Sequence, residues 1–286
     1  MSSSAGFRNI LASLKHRDYA VFTYSHMPGL IFMWSQRIGV GWLAWELTQS
    51  PSWLGLIAMA DLLPAVFLAP FAGAIADRVN VIKLLLVSEL VLVVYSAVLW
   101  FLVITGLIDI WLLFFFSIML GCNHPFGNAG RANVVPLLVP HADLPAAITL
   151  NAICFNTART AGPMVAGVII AASNSTEWVF AMFGIGEMVM VIGILMFHTK
   201  TQPRMGKGGG LSGMARDVRD GFGYVFAHAG IGPVLLLLIF GAVSSRPAIE
   251  LLPGFADEVF DRGAKGLGWL GAAVGAGGIL GSVYLA

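Results

Sequence analysis

Long apolar runs separated by short polar turns dominate the chain, and the runs have the length of membrane-crossing helices. About twenty apolar residues cover the hydrocarbon as a helix. That ruler predicts eight spans, at about 19–46, 53–76, 84–106, 110–132, 145–172, 178–198, 231–252 and 266–286. The connections are short except for 199–230. This stretch opens as TKTQPRMGKGGG, a Gly-rich linker. It then places Leu211, Met214, Val218, Phe222 and Val225 at helical spacing, which predicts an interfacial amphipathic helix. The expected fold is all-α and transmembrane. A six-helix N-terminal bundle occupies 1–198 and a cytoplasmic linker 199–230. Residues 231–286 begin a C-terminal bundle that is incomplete after two helices.

Composition supports a membrane protein. Of the 286 residues 58% are hydrophobic and only 11% charged, against about a quarter charged in soluble domains. A net charge of +1 gives no concentrated basic face for nucleic acid. No CxxC, HExxH or His/Cys cluster occurs, so neither a metal nor a cofactor is expected, and Cys122 and Cys154 both lie in apolar runs. The absence of a nucleophile–base pair or phosphate loop, with connections this short, argues against an enzyme. The start, MSSSAGFRNILASLKHRDYA, is basic and amphipathic without a cleavage site, and predicts a cytoplasmic lead-in helix rather than a signal peptide.

Charge also orients the spans. With the N-terminus inside, Arg8, Lys15, Arg17, Arg78, Lys83, Arg131, Lys200, Arg204, Lys207, Arg216 and Arg219 are cytoplasmic, 11 basic residues against Arg262 and Lys265 outside. The positive-inside rule then predicts a cytoplasmic N-terminus.

Seven charges fall inside spans: Arg37, Asp61, Glu89, Arg159, Glu187, Arg246 and Glu250. Each costs roughly 2.5–3.5 kcal/mol at mid-bilayer on insertion scales, so each needs a partner or a water-filled cavity. At about 1.5 Å per residue, Arg37 and Asp61 reach similar depths and can meet. Two readings stand side by side, a structural ion pair and a proton- or substrate-responsive Asp61 in a cavity wall. Arg159, with Asn156 and Pro163 on its face, either binds an anionic substrate or neutralises Glu187. Arg246 and Glu250 are four apart and can satisfy each other. The run CNHPFGNAGR breaks the fourth span with polar residues and a proline, so His124 and its neighbours are expected to face a cavity. In the fifth span Ala158, Gly162 and Ala166 form a small-residue stripe, and Pro163 removes a backbone donor in AGPMVAG, which ends at Gly167. Gly271/Gly275 and Gly277/Gly281 make the same packing case in the eighth.

Between the second and third spans lies GAIADRVNVIK. Its Gly73, Asp77 and Arg78, with Lys83 beyond, resemble the signature loop of the major facilitator superfamily, although Val79 to Ile82 stand where a basic pair is usual. WLAWELTQSPSWLGL, GRANVVPLLVPHADLPAAITLNA, SRPAIELLPGFADEVF and GLGWLGAAVGAGGILGS resemble the enterobactin-exporter and macrolide-efflux-like branch, with Arg131 and Asn151 matching. The AGPMVAG element resembles one found in antiporters of that superfamily. The resemblance implies an exporter of twelve helices in a bacterial inner membrane, coupled to protons and expelling drug-like or siderophore-like small molecules. It implies a gating role for Gly73, Asp77, Arg78 and Lys83. Arg37, Asp61, His124, Arg131, Asn156, Arg159 and Glu187 are candidates for the substrate or proton pathway, and Gly162, Pro163 and Gly167 for helix packing. The alternative is a non-transporting scaffold or receptor-like protein, or an inactive fragment of a transporter.

Overall fold

The computed structural model describes residues 11–173, 175–199, 230, 232–234, 236–237, 240–241 and 250–285. The amphipathic linker helix, most of the predicted seventh span and Arg246 lie outside the described residues. Six long helices lie between Arg17 and Leu195: α1 (Arg17–Thr48), α2 (Pro51–Ala76), α3 (Val81–Ile104), α4 (Ile110–Leu138), α5 (Leu144–Ser173) and α6 (Glu177–Leu195). Helix α7 (Gly263–Leu285) corresponds to the predicted eighth span. It is preceded by one α-helical turn, Leu252–Gly254, and one π-helical turn, Phe255–Val259. No strand occurs among the described residues. The helices α2 to α6 are long and apolar enough to cross a membrane. Helix α1 is longer still and continuous, with the polar residues His26, Gln36 and Arg37 breaking its apolar run.

Local chemistry sets the helix ends. Pro51 opens α2, where a missing N–H costs nothing. Asn80 caps α3 by accepting the Lys83 N–H at 3.1 Å, and Asp109 caps α4 by accepting the Leu112 N–H at 2.7 Å. Gln49 closes α1 in the left-handed region at φ 48°. The expected lead-in helix is replaced, among the described residues, by a 3-10 turn over Ala12–Lys15. Asp143 ties that turn to the α4–α5 link through Lys15 at 2.9 Å and His16 at 2.6 Å.

Helix α1 packs on α5 and α6, α3 on α4 and α6, α2 on α4, and α5 on α7. Two apolar clusters divide the first six helices along their length. One, near the Arg78 and Pro140 end, contains Tyr19, Phe22, Leu85, Val134, Leu138, Ala147 and Met190. The other, near the opposite end, contains Trp45, Leu54, Leu99, Leu113, Phe116, Phe180 and Phe183. Chain order forces a layer between them: Glu89 lies between Leu85 and Leu92, Glu187 between Phe183 and Met190, and Arg131 between Leu120 and Val134. A third cluster joins Ile38, Trp42, Ala166, Ile170 and Val179 to Leu252, Ala256 and Leu267 at the opposite end.

Small residues permit the closest crossings. A Cβ on Gly162 would meet the Ile31 carbonyl oxygen at 2.9 Å as well as Trp34, so α1 and α5 touch backbone to backbone there. Gly167 lies on Gly268, and a Cβ on Gly271 would stand 2.7 Å from Pro163 Cβ, which joins α5 to α7. Among the described residues, Gly268 and Gly271 are therefore the glycines of α7 that meet α5; the surroundings of Gly275 and Gly281 lie outside the description. Gly277, expected in that role, has open space around it.

Candidate functional site

Helices α1, α2 and α4 converge on a charged cluster at membrane depth. Arg37 Nη1 stands 3.7 Å from Asp61 Oδ2, and Arg37 Nη2 donates to Glu250 Oε1. On the other side of Asp61, His124 Nδ1 lies 3.3 Å from Oδ1. Gly121 makes the geometry possible: a Cβ there would collide with the Asp61 backbone, so α2 and α4 run in contact one turn from His124. Glu250 meets Arg37 of α1 across the interface; its expected partner Arg246 lies outside the described residues.

The cluster lines a cavity that also takes in Met33, Trp34, Gln36 and Leu120. Its volume is about 70 Å³, well below the roughly 300–1,000 Å³ of a small-molecule site. Trp34 Nε1 and His124 Nε2, both on its wall, are buried without a hydrogen-bond partner. Buried polar atoms are nearly always satisfied, which sets these two nitrogens apart.

A second cluster lies in the layer between the apolar halves. Arg131 Nη1 donates to Glu89 Oε1 at 2.6 Å, and Nη2 donates to Asn128 Oδ1 at 3.1 Å. Glu89 is 0% and Glu187 3% exposed, and Glu187 lies beside both Glu89 and Arg131. This corrects the expected Arg159–Glu187 neutralisation: Arg159 is exposed on α5, and the cation beside Glu187 is Arg131. Asn156, expected beside Arg159 on the pathway, is also exposed and donates to its own helix at Ala152 O, 2.8 Å away. Glu89, which the sequence marked only as an intramembrane charge, is the missed member. Ser88 Oγ donates to Asn123 Oδ1 at 3.2 Å and holds α3 to α4 beside it.

In the α2–α3 loop Asp77 is exposed and closes α2, its N–H donating to Gly73 O at 3.1 Å. Gly73 has open space where a Cβ would stand. Lys83 is exposed and Arg78 half-buried. Asn80, one of the residues standing where a basic pair was expected, has a local task as the α3 cap.

At the opposite end Trp45 Nε1 donates to Asp257 Oδ2 at 2.8 Å. With the third apolar cluster, this bond holds α1 to the segment before α7.

Long apolar helices packed around ionisable groups define a multi-pass α-helical membrane protein. The profile of the transmembrane secretion effectors, MFS_3, matches residues 9–286. The chain therefore belongs to that family of the major facilitator superfamily, among transporters rather than enzymes. It is 25% identical to the staphyloferrin A transporter of Staphylococcus aureus (strain NCTC 8325 / PS 47) over 174 residues, 60% of this chain and 44% of the relative. It is 27% identical to the uncharacterized MFS-type transporter YfiS of Bacillus subtilis (strain 168) over 131 residues, 45% of this chain and 30% of the relative. The matches thus span less than half the length of either relative.

Proposed function

We propose that this chain forms the first bundle and the beginning of the second in a proton-coupled exporter of drug-like or siderophore-like small molecules. The bundles occupy 1–198 and 231–286, joined by the linker 199–230, and exchange access by rocking about a central site. The protein sits in a bacterial inner membrane with its N-terminus cytoplasmic, and belongs to the enterobactin-exporter and macrolide-efflux-like branch. The Arg37–Asp61–His124–Glu250 cluster carries this reading. It links α1, α2 and α4 to the segment before α7, lines a cavity and brings carboxylate and imidazole side chains together. A purely structural ion pair would be expected to be sealed, whereas this one has a cavity and two partnerless ring nitrogens beside it.

In this orientation the end held by Trp45 and Asp257 is the outer one, and its closure corresponds to an inward-facing or occluded state. The exposed Asp77 fits that state. In the outward-facing state Asp77 accepts hydrogen bonds from the start of a neighbouring helix and Arg78 bridges to acidic partners, so that the loop acts as a latch. The staphyloferrin A transporter among the relatives favours a small-molecule cargo.

The test is substrate accumulation in cells expressing the complete gene. Asp77→Asn and Asp61→Asn should each abolish export while leaving membrane expression intact. Export at the wild-type level by Asp61→Asn would remove the charged cluster from the mechanism, and by Asp77→Asn would remove the latch.

A further inference from the structure

The layer between the two apolar clusters contains an imbalance of charge. Two carboxyl groups, Glu89 of α3 and Glu187 of α6, share one guanidinium, Arg131 of α4. Glu89 Oε1 accepts from Arg131, but Glu89 Oε2 is fully buried and receives no hydrogen bond. Glu187, buried in the same layer, is the carboxyl group next to Glu89. Two ionised carboxylates in contact repel each other strongly, and such sites resolve the conflict by retaining one proton. A proton on Glu187 supplies the donor that Glu89 Oε2 lacks and leaves one negative charge for Arg131 to balance.

The surroundings are shaped for this arrangement. Gly29 of α1 makes room for the Glu187 carboxyl, since a Cβ there would stand 3.3 Å from Oε1. Gly127 of α4 makes room for the guanidinium, since a Cβ there would stand 3.1 Å from Arg131 Nη2 and 2.8 Å from Ser88 Oγ. The titratable neighbour contributed by α1 is His26, buried, with Nδ1 unpartnered and close enough to feel the Arg131 charge. Arg131 itself stands at the boundary: its other nitrogen reaches Asn128, which is exposed.

We propose that Glu89 and Glu187 form a carboxylic acid–carboxylate pair that binds one proton within the first bundle, a site separate from the Asp61 cluster, with Arg131 as its counter-ion and its gate. Loaded, the site is neutral overall and α3 and α6 stay in contact around it. When the proton leaves to water past Arg131 on the Asn128 side, two negative charges face one positive charge and the contact between α3 and α6 loosens. The site is read from its own geometry; only its use in transport rests on the exporter reading above.

Infrared spectroscopy of the purified complete protein at neutral pH, in water and deuterium oxide, reads the bound proton as the carbonyl stretch of a protonated carboxyl group. The wild type should show this band, and Glu187→Gln and Glu89→Gln should each lose it while Asp61→Asn retains it. Both glutamine variants keep a neutral partner for the remaining carboxylate and should fold with melting temperatures near that of the wild type. A wild type without the band, or a band that survives both glutamine substitutions, overturns the proposal. Protonophore-sensitive efflux by a wild type without the band leaves the exporter reading standing and sinks this one. The band in a protein that moves no substrate supports the proton site and counts against the exporter.

Discussion

Two charged clusters lie within the same bundle, and helix α4 supplies a member to each, His124 to one and Arg131 to the other, two turns apart. Around His124, the ion pairs of Arg37 with Asp61 and Glu250 border a cavity and cross to the segment before α7. Around Arg131, Glu89 and Glu187 are enclosed by α1, α3, α4 and α6, with apolar clusters above and below. The same residue types thus serve opposite ends. Where a cavity adjoins the charges, their partners are exchangeable and suited to a transport cycle. Where packing surrounds them, the fold itself depends on their being balanced. The difference teaches that counting intramembrane charges identifies candidates, and the space beside each one sorts them.

Substitutions should separate the two. Arg131→Leu has the largest expected effect on stability, because it leaves two buried carboxyl groups without their cation. Breaking a buried pair costs about 3–5 kcal/mol, and thermal unfolding in detergent should register a loss of that order. Next, Gly127→Val should cost about 1–3 kcal/mol by crowding Ser88 and Arg131. Its counterpart beside the cavity is Gly41, where an added Cβ would make only an ordinary 3.5 Å contact with Pro253. Gly41→Ala should therefore leave stability within about 0.5 kcal/mol. If the two glycine substitutions prove equally harmful, the contrast between a tightly packed cluster and one beside a cavity fails. Smallest of all, Arg159→Ala should leave the melting temperature unchanged, since its side chain is exposed. A clear loss of stability there would restore the Arg159–Glu187 pairing that the structure replaces.

Much of this was legible in the sequence, and the exceptions have physical causes. Apolar run length located the first six helices to within a few residues at most ends, because hydrocarbon thickness is a one-dimensional constraint that a sequence meets directly. Helix α4 is the instructive exception. Its predicted span ended at 132, yet the helix continues to Leu138. Arg131 thus moves from the foot of a span to about 10 Å inside the helix, where it reaches Glu89. Depth matching was enough to bring Arg37 and Asp61 to one level. It was not enough to choose between Arg159 and Arg131 as the neighbour of Glu187, since that depends on how each helix is rotated about its axis. Glu250 likewise met a partner from α1 that no local spacing encodes. The loop residue Asn80 looked like an interruption of a family pattern, while its role as a helix cap follows from its position before an apolar run.

The exporter reading itself turns on the open cluster and has one direct test. Cells expressing the complete gene are loaded with candidate substrates, and accumulation is measured with and without a protonophore, for the wild type and for Asp61→Asn. The account predicts lowered accumulation of at least one substrate in the wild type, reversed by the protonophore and absent in Asp61→Asn. Export that persists at full strength in the presence of the protonophore, or in the Asp61→Asn variant, would contradict it.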